Sequence, residues 1–289
     1  MITGILPVDK PLGWTSHDVV ARIRRVIGQR QVGHAGTLDP LATGLLLVVL
    51  GKATRFSSYL MASPKIYVAE MVLGATTTTD DAEGCMQNRA DVSHLSRSDV
   101  ALRVSHFVGE IDQVPPLYAA VKRGGEKLYV LARKGETVRP EARRVTVYSI
   151  DMQDWQPPRL RIRVQCGQGT YIRSLARDIG AALGVGGYLH ALRRTVSGTF
   201  TVAGSCPLDT LRSIDDVREQ LRLPERAVLD WPAVVLNEIE VRSACSGRRI
   251  QTHANIAGQV RLYDSRGGLL GLGEAAHGTI RPFHILAGE

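Results

Sequence analysis

A chain of 289 residues, 44% hydrophobic, is long enough to bury one large core or a large and a small one, and the second arrangement is expected here. A net charge of +8 favours a polyanionic partner, because each phosphate neutralised by Lys or Arg releases a counterion. The longest apolar runs, such as Leu45 to Leu50, fall far short of the ~20 residues of a membrane span, which excludes a spanning helix.

The first residues, MITGILPVDKPLGW, carry no basic stretch ahead of an apolar one, so a cytoplasmic protein with no membrane partner is expected. Cys85, Cys166, Cys206 and Cys245 form no CxxC pair and have no histidine at zinc-finger spacing, which argues against structural zinc and a disulfide framework. The positive charge recurs in short clusters, RIRR (22–25), KRGGEK (122–127), RPEARR (139–144), LRIR (160–163) and LRR (192–194). Any one of them reads as a solvated face; together they read as a basic track.

In chain order, TSHDVVARIRRVIG predicts a helix with Val19, Val20, Ile23, Val26 and Ile27 on one stripe, Ser16 as N-cap, Gly28 as stop, and Arg22 and Arg25 outside. Residues 65–74 and 160–166 read as strands. In the second, Leu160, Ile162, Val164 and Cys166 alternate with Arg161, Arg163 and Gln165, the pattern of a half-buried strand. Thr76 to Asn88 is polar and turn-rich, and a helix is expected around Ser98 to Phe107. A Pro-Pro stop then precedes a hairpin at Gly124-Gly125 and a short helix from Leu128 to Arg133.

GTYIRSLARDIGAALG predicts a second amphipathic helix, capped by Thr170, with Ile172, Leu175, Ala176, Ile179 and Leu183 as its stripe and Gly184 closing it. From Leu236 onward the pattern changes to short strands and turns, with Ser265 to Gly268 linking two of them as a hairpin. Strands and helices without strict βαβ alternation indicate an α+β fold with a mostly antiparallel sheet. The expected division is a large domain over 1–232 and a small β-rich one over 233–289, with no repeat at a period of 20 to 50 residues.

GHAGTLDPLATG (33–44) sets a lone acid, Asp39, against Pro40 just before an apolar run. Proline drives the preceding backbone towards extended conformations and suits the opening of a helical turn, so Asp39 can be read as an N-cap. Gly33, Gly36 and Gly44 remove side-chain bulk around it and leave room for a ligand to approach the carboxylate. Glycoside hydrolysis usually needs two carboxylates in concert, and His34 with Asp39 is too small a set for metal hydrolysis. Nucleophilic attack needs only one ionised carboxylate.

GHAGTLDPLATGLL, DKPLGWTS, KIYVAE, QVPPLYAAVKRGGEKLYVLARKGE, CGQGTYIRSLARDIG and LRRTVSGTF, in this order, resemble the TruB family of tRNA pseudouridine synthases over nearly the whole chain. The resemblance implies the pseudouridine synthase fold, a mixed sheet flanked by helices, followed by a small PUA-like domain directed at the acceptor-stem side of tRNA. It implies isomerisation of uridine 55 in the TΨC loop, with no cofactor and no metal, by Asp39 acting on a flipped-out uridine at the ribose anomeric carbon or at the base. Uracil is then released, rotated and rejoined through C5.

Further roles follow from the same resemblance. Tyr67 packs on the target base and takes part in removing the C5 proton, although a strand tyrosine is otherwise usually core. Arg173 pairs with Asp39 and lowers its pKa against the rise from desolvation; otherwise it is an exposed arginine on the first turn of a helix. Tyr171 and Leu192 line the uridine pocket, His34 fills the space left by flipped nucleotides, and Lys10 supports the catalytic loop. AAVK (119–122) stands where the family more usually has Ser-Ala-Ile-Lys, and Gly187-Tyr188 lies in a variable stretch. The partner implied is the tRNA T-arm stem-loop, with no guide RNA, no obligate protein partner and a monomeric chain. Two rival readings are a non-catalytic RNA binder or chaperone that uses the same cleft, and a guide-dependent relative.

Overall fold

The computed structural model describes residues 1–117, 122–123, 126–127, 140–252 and 256–286. Strand β1 (Gly4–Lys10) leads to helix α1 (Ser16–Ile27), β2 (Val32–His34) and β3 (Ala42–Leu50). After α2 (Ser57–Ala62) come β4 (Lys65–Leu73), the short β5 (Ala75–Thr77) and β6 (Met86–Arg89), α3 (Arg97–Ser105) and β7 (Gly109–Gln113). Two-residue strands β8 (Lys122–Arg123) and β9 (Glu126–Lys127) pair antiparallel. Their connecting Gly124-Gly125 and the helix expected over Leu128 to Arg133 lie outside the described residues.

Strands β10 (Arg143–Gln156) and β11 (Arg159–Cys166), helix α4 (Ile172–Ala182) and β12 (Gly187–Ser197) complete the central layer, with β13 (Phe200–Thr201) and β14 (Cys206–Pro207) at its margin. The sheet runs β14-β1-β3-β12-β4-β11-β10-β7, with β13 on β12 and β2 on β3. Only β14–β1 and β3–β12 are parallel, so the sheet is mixed and mostly antiparallel, as the lack of βαβ alternation implies.

The expected stripe of α1 holds: Val19, Val20, Ile23 and Ile27 are buried and join the central core. The cap differs, because Thr15 and not Ser16 closes the helix, in a capping box with Asp18. Ser16 is buried instead, its Oγ bonded to both the carbonyl (3.1 Å) and the amide (2.8 Å) of Leu38. α4 likewise starts without the expected Thr170 cap; Tyr171 is its N-cap and makes no side-chain bond there. The Thr170 hydroxyl donates to the Gly167 carbonyl at 3.2 Å, holding the preceding turn. Strand β11 buries Leu160, Ile162, Val164 and Cys166 on alternate positions, as its pattern predicts.

Beyond α5 (Ile214–Gln220) a second sheet has the order β15-β17-β18-β19-β16. Its members are β15 (Ala233–Val235), β16 (Ile250–Gln251), β17 (Gly258–Tyr263), β18 (Leu269–Ala276) and β19 (Thr279–Phe283). The expected hairpin joins β17 to β18. A helix, α6 (Glu238–Cys245), stands where only strands and turns were expected; Asn237 and Glu240 form its capping box. This sheet has its own core, including Leu236, Val260, Leu262 and Ile280. It meets the first unit where Phe56 and Val228 pack on Leu272. Among the described residues, no helix is long and apolar enough to cross a membrane.

Candidate active site

Strand order brings the site together. Parallel pairing of β3 with β12 sets Ala42 beside Leu192, and antiparallel pairing of β12 with β4 sets Leu192 beside Ala69 and Arg194 beside Tyr67. Asp39 lies just before β3, and Arg173 lies on the first turn of α4. These elements bound a cavity of about 150 Å³ lined by Thr37, Leu38, Asp39, Tyr67, Thr170, Tyr171, Ile172, Arg173 and Leu192. A ligand site for a whole small molecule is commonly ~300–1,000 Å³, so this one suits the projecting end of a larger molecule.

Asp39 caps no helix. Its carbonyl accepts from the Ala42 amide at 3.0 Å, closing a β-turn with Pro40 at the second position. The turn is braced from behind: the Gly13 amide donates to the Pro40 carbonyl at 3.0 Å. Buried Lys10 donates to the carbonyls of Trp14 (2.5 Å), Pro11 (3.0 Å) and Pro40 (3.4 Å). Lys10 thus supports the loop by direct bonds, and burial pushes its ammonium down to about 8.

Arg173 grips Asp39 with two nitrogens, Nε to Oδ2 at 3.0 Å and Nη2 to Oδ1 at 3.3 Å. The guanidinium is 5% exposed and the carboxylate 36%, so the cation belongs to the interior and the anion faces the opening. Burial nevertheless outweighs this pairing and holds the Asp39 carboxyl above the usual carboxylate range, against the pull of Arg173 and Lys10. The two opposing influences are those expected, and burial is the larger.

A residue missed in the sequence completes the arrangement. Asp81, 3% exposed, receives Arg173 Nη1 at 3.4 Å, and Nη1 also donates to the Thr79 carbonyl at 3.3 Å. One guanidinium is therefore shared by two carboxylates, one inside and one at the cavity. Asp81 is fixed by the Thr79 hydroxyl at 2.5 Å and by a bridge to Leu189 of β12. Neighbouring Asp80 adopts φ 61° and pairs with Arg177 at 2.9 Å. The segment had shown only polarity and turns; its signal was the TDD run, two acids with no basic neighbour in sequence.

Tyr67 is partly buried and lines the cavity, and burial pushes its phenol up while Arg194 opposes the shift. Tyr171 lines it too, its backbone held at both ends by the Gln113 amide group: the Tyr171 N–H donates to Oε1 (2.8 Å) and Nε2 donates to the carbonyl (3.1 Å). Leu192, 8% exposed, supplies an apolar wall. His34 stands away from this set, on β2, its ring edge-on to His17 at 5.8 Å. Burial, His17 and Arg194 all push His34 down, which keeps it neutral.

Gly36 and Gly44 do not hold space for a ligand. A Cβ on Gly44 would lie 2.3 Å from the Arg194 carbonyl oxygen, and one on Gly36 would lie 3.3 Å from Arg194 Nη1. Both make room for β12, and Gly36 adopts φ +102°. Nor is LRR part of a surface track: Arg194 is 1% exposed, and Arg193 is engaged by Asp9 at 2.7 and 3.1 Å. In LRIR, Arg163 pairs with Asp151 at 3.2 Å and Arg161 donates to Gln153 at 3.2 Å, as a solvated sheet face does.

Residues 24–172 match the profile of the TruB family pseudouridylate synthase N-terminal domain. The chain belongs to the TruB family. Residues 173–229 match the tRNA pseudouridylate synthase B C-terminal domain, and 232–285 match the pseudouridine synthase II TruB C-terminal domain. It is 45% identical to a tRNA pseudouridine synthase B of Thermobifida fusca over 100% of both chains. The corresponding protein of Trichormus variabilis is 44% identical over 96% of this chain and 97% of its own.

Among solved structures it resembles a chain of a Cbf5-Nop10-Gar1 complex, with TM-score 0.71 and 31% identity over 94% of this chain and 78% of that one. It also resembles a chain of an H/ACA RNP bound to a substrate RNA containing 2'-deoxyuridine, with TM-score 0.75 and 26% identity over 99% and 85%. As a TruB family member the chain is a pseudouridine synthase, an isomerase.

Proposed function

We propose that this TruB chain converts uridine to pseudouridine at position 55 in the TΨC loop of tRNA, with Asp39 as nucleophile on a flipped-out uridine. One observation carries the reading: a single carboxylate faces a base-sized opening and is gripped from inside by Arg173 at 3.0 Å. A nucleophile must be ionised when the base arrives; the guanidinium and Lys10 favour that form against burial.

The reaction breaks the N1–C1′ bond and forms the C5–C1′ bond; C5 loses its proton and N1 gains one, so the change is an isomerisation and consumes no co-reactant. Tyr67 stacks on uracil with its hydroxyl near the reacting edge and takes part in removing the C5 proton. Tyr171 and Leu192 hold the base by shape. His34, neutral and set edge-on to His17, occupies the space left by everted nucleotides. Lys10 keeps the Pro40 turn in place.

We assign residues 1–232 to the catalytic domain and 233–289 to a PUA-like domain that contacts the acceptor-stem side of tRNA. The protein works in the cytoplasm as a monomer, without guide RNA, and opening and re-pairing of the T-arm gives it a folding-chaperone role as well. Sequence identity supports independence: it is 44% and 45% over the two tRNA pseudouridine synthase B relatives but 31% and 26% over the H/ACA chains. Incubating the purified protein with an isolated T-arm stem-loop and mapping pseudouridine by mass spectrometry tests the reading. A modified uridine 55 is expected, and an inert protein that acts only with added guide RNA would reverse it.

A further inference from the structure

Arg193 and Arg194 are adjacent in sequence and opposite in fate. Strand alternation turns Arg193 outward to Asp9 and turns Arg194 to the same face as Leu192, the face of the cavity. Arg194 is among the largest fully buried side chains, at 1% exposure. Its Nε donates to the Leu45 carbonyl at 2.7 Å and its Nη2 to the Gly36 carbonyl at 3.1 Å. Tyr67 is the residue directly across the strand pair, and the buried guanidinium pulls its phenol pKa down against the rise from burial.

No carboxylate forms an ion pair with Arg194 among the described residues. A buried cation whose hydrogen bonds go to carbonyls is costly, and an apolar side chain of similar length would fill the space at lower cost. Its charge also opposes protonation of Lys10, His34 and Lys65 and favours ionisation of the Tyr67 phenol. Costly buried charges persist where a site needs them. Gly36 leaves room for the Arg194 guanidinium, where a Cβ would lie 3.3 Å from Nη1.

The geometry points to Arg194 as a positioning residue for the isomerisation, one that sets its guanidinium across the strand pair from Tyr67 while it holds the Gly36 carbonyl of the Asp39 loop. It touches no substrate; it acts through Tyr67. This rests on the reading of Tyr67 as the group that serves C5 proton removal.

The test compares wild type, Arg194→Met, Arg194→Lys, Tyr67→Phe and the Arg194→Met/Tyr67→Phe double variant in single-turnover pseudouridine formation on tRNA. Affinity for tRNA and the isotope effect from 5-deuterated uridine are measured alongside. Arg194→Met is expected to slow the reaction by about 100-fold, the lower range of an acid–base contribution, with affinity within about threefold and a larger isotope effect than wild type. Arg194→Lys recovers part of the rate, and Arg194→Met costs little further in the Tyr67→Phe background.

A wild-type rate in Arg194→Met, a matching loss of affinity, an unchanged isotope effect, or full additivity with Tyr67→Phe overturns the proposal. If circular dichroism shows Arg194→Met unfolded, Arg194→Lys carries the same readouts. An inert wild type on tRNA would instead refute the underlying function, so the two failures are distinguishable.

Discussion

Arg173 and Asp81 form a buried pair, Nη1 to Oδ2 at 3.4 Å, with side-chain exposures of 5% and 4%. The pair holds the guanidinium in place while its other nitrogens reach Asp39. Two anions on one cation mean that each stabilises the position in which the other is used.

Removing the inner anion should therefore be felt at the outer one. Asp81→Ala removes one of the carboxylates that hold Arg173 and strips acceptors from the Thr79 hydroxyl and the Glu83 amide. Breaking one partner of a buried ion pair costs about 3 kcal/mol. Urea denaturation is expected to show that loss, and single-turnover assays a slower reaction, with Asp81→Asn intermediate. A wild-type rate in Asp81→Ala would remove Asp81 from this account.

As the proposed nucleophile, Asp39 is expected to set the acid limb of activity. Burial raises its pKa in the folded protein, so the carboxyl takes up a proton at a higher pH than an ordinary aspartate, and kcat/KM falls as pH is lowered through that raised value. Arg173→Gln removes the largest opposing influence and moves the limb to still higher pH. For stability the sign is reversed. The folded state binds this proton more tightly than the unfolded one, so ionisation lowers stability as pH rises from the unfolded value through the folded one. Asp39→Asn should then melt no lower than wild type at neutral pH, checked by calorimetry. An acid limb at or below the ordinary carboxylate range contradicts the assignment.

On the alkaline side the groups are lysines. Lys10 and Lys65 are both pushed from 10.5 down to about 8 by burial. Across that interval the unfolded chain binds more protons than the folded one, so these two groups make unfolding free energy rise with pH. Lys10→Met removes its share of the rise and leaves the carbonyls of Pro11, Trp14 and Pro40 without this donor, at a cost of about 1–3 kcal/mol. Denaturation series across this range measure both effects, and a Lys10→Met protein as stable as wild type would show that the turn is braced by other bonds.

Much of this was legible in the sequence, for reasons that are local. The apolar stripe of α1 and the alternation of β11 needed only the periods of helix and strand, and family motifs named Asp39, Tyr67 and Arg173. What stayed hidden depends on tertiary pairing. Arg173 and Asp39 are 134 residues apart, and nothing local shows that Asp81 joins them. Arg194 looked like surface charge because LRR gives no clue to which face each arginine takes; strand register decides it. Thr15 and Ser16 were equally good caps by composition, and the choice turned on Ser16 being needed at Leu38. The small helix α6 had its signal in Asn237 and Glu240, a capping box obscured by the surrounding strand-like residues.

The central claim is that one carboxylate performs the chemistry and contributes little to holding RNA. Asp39→Asn keeps the shape and removes the charge, so tritium release from C5-labelled tRNA, with binding measured in parallel, tests it most directly. The account predicts a loss of at least about 1,000-fold in turnover with affinity within about threefold. Turnover within about tenfold of wild type, in a variant that binds tRNA normally, would contradict it.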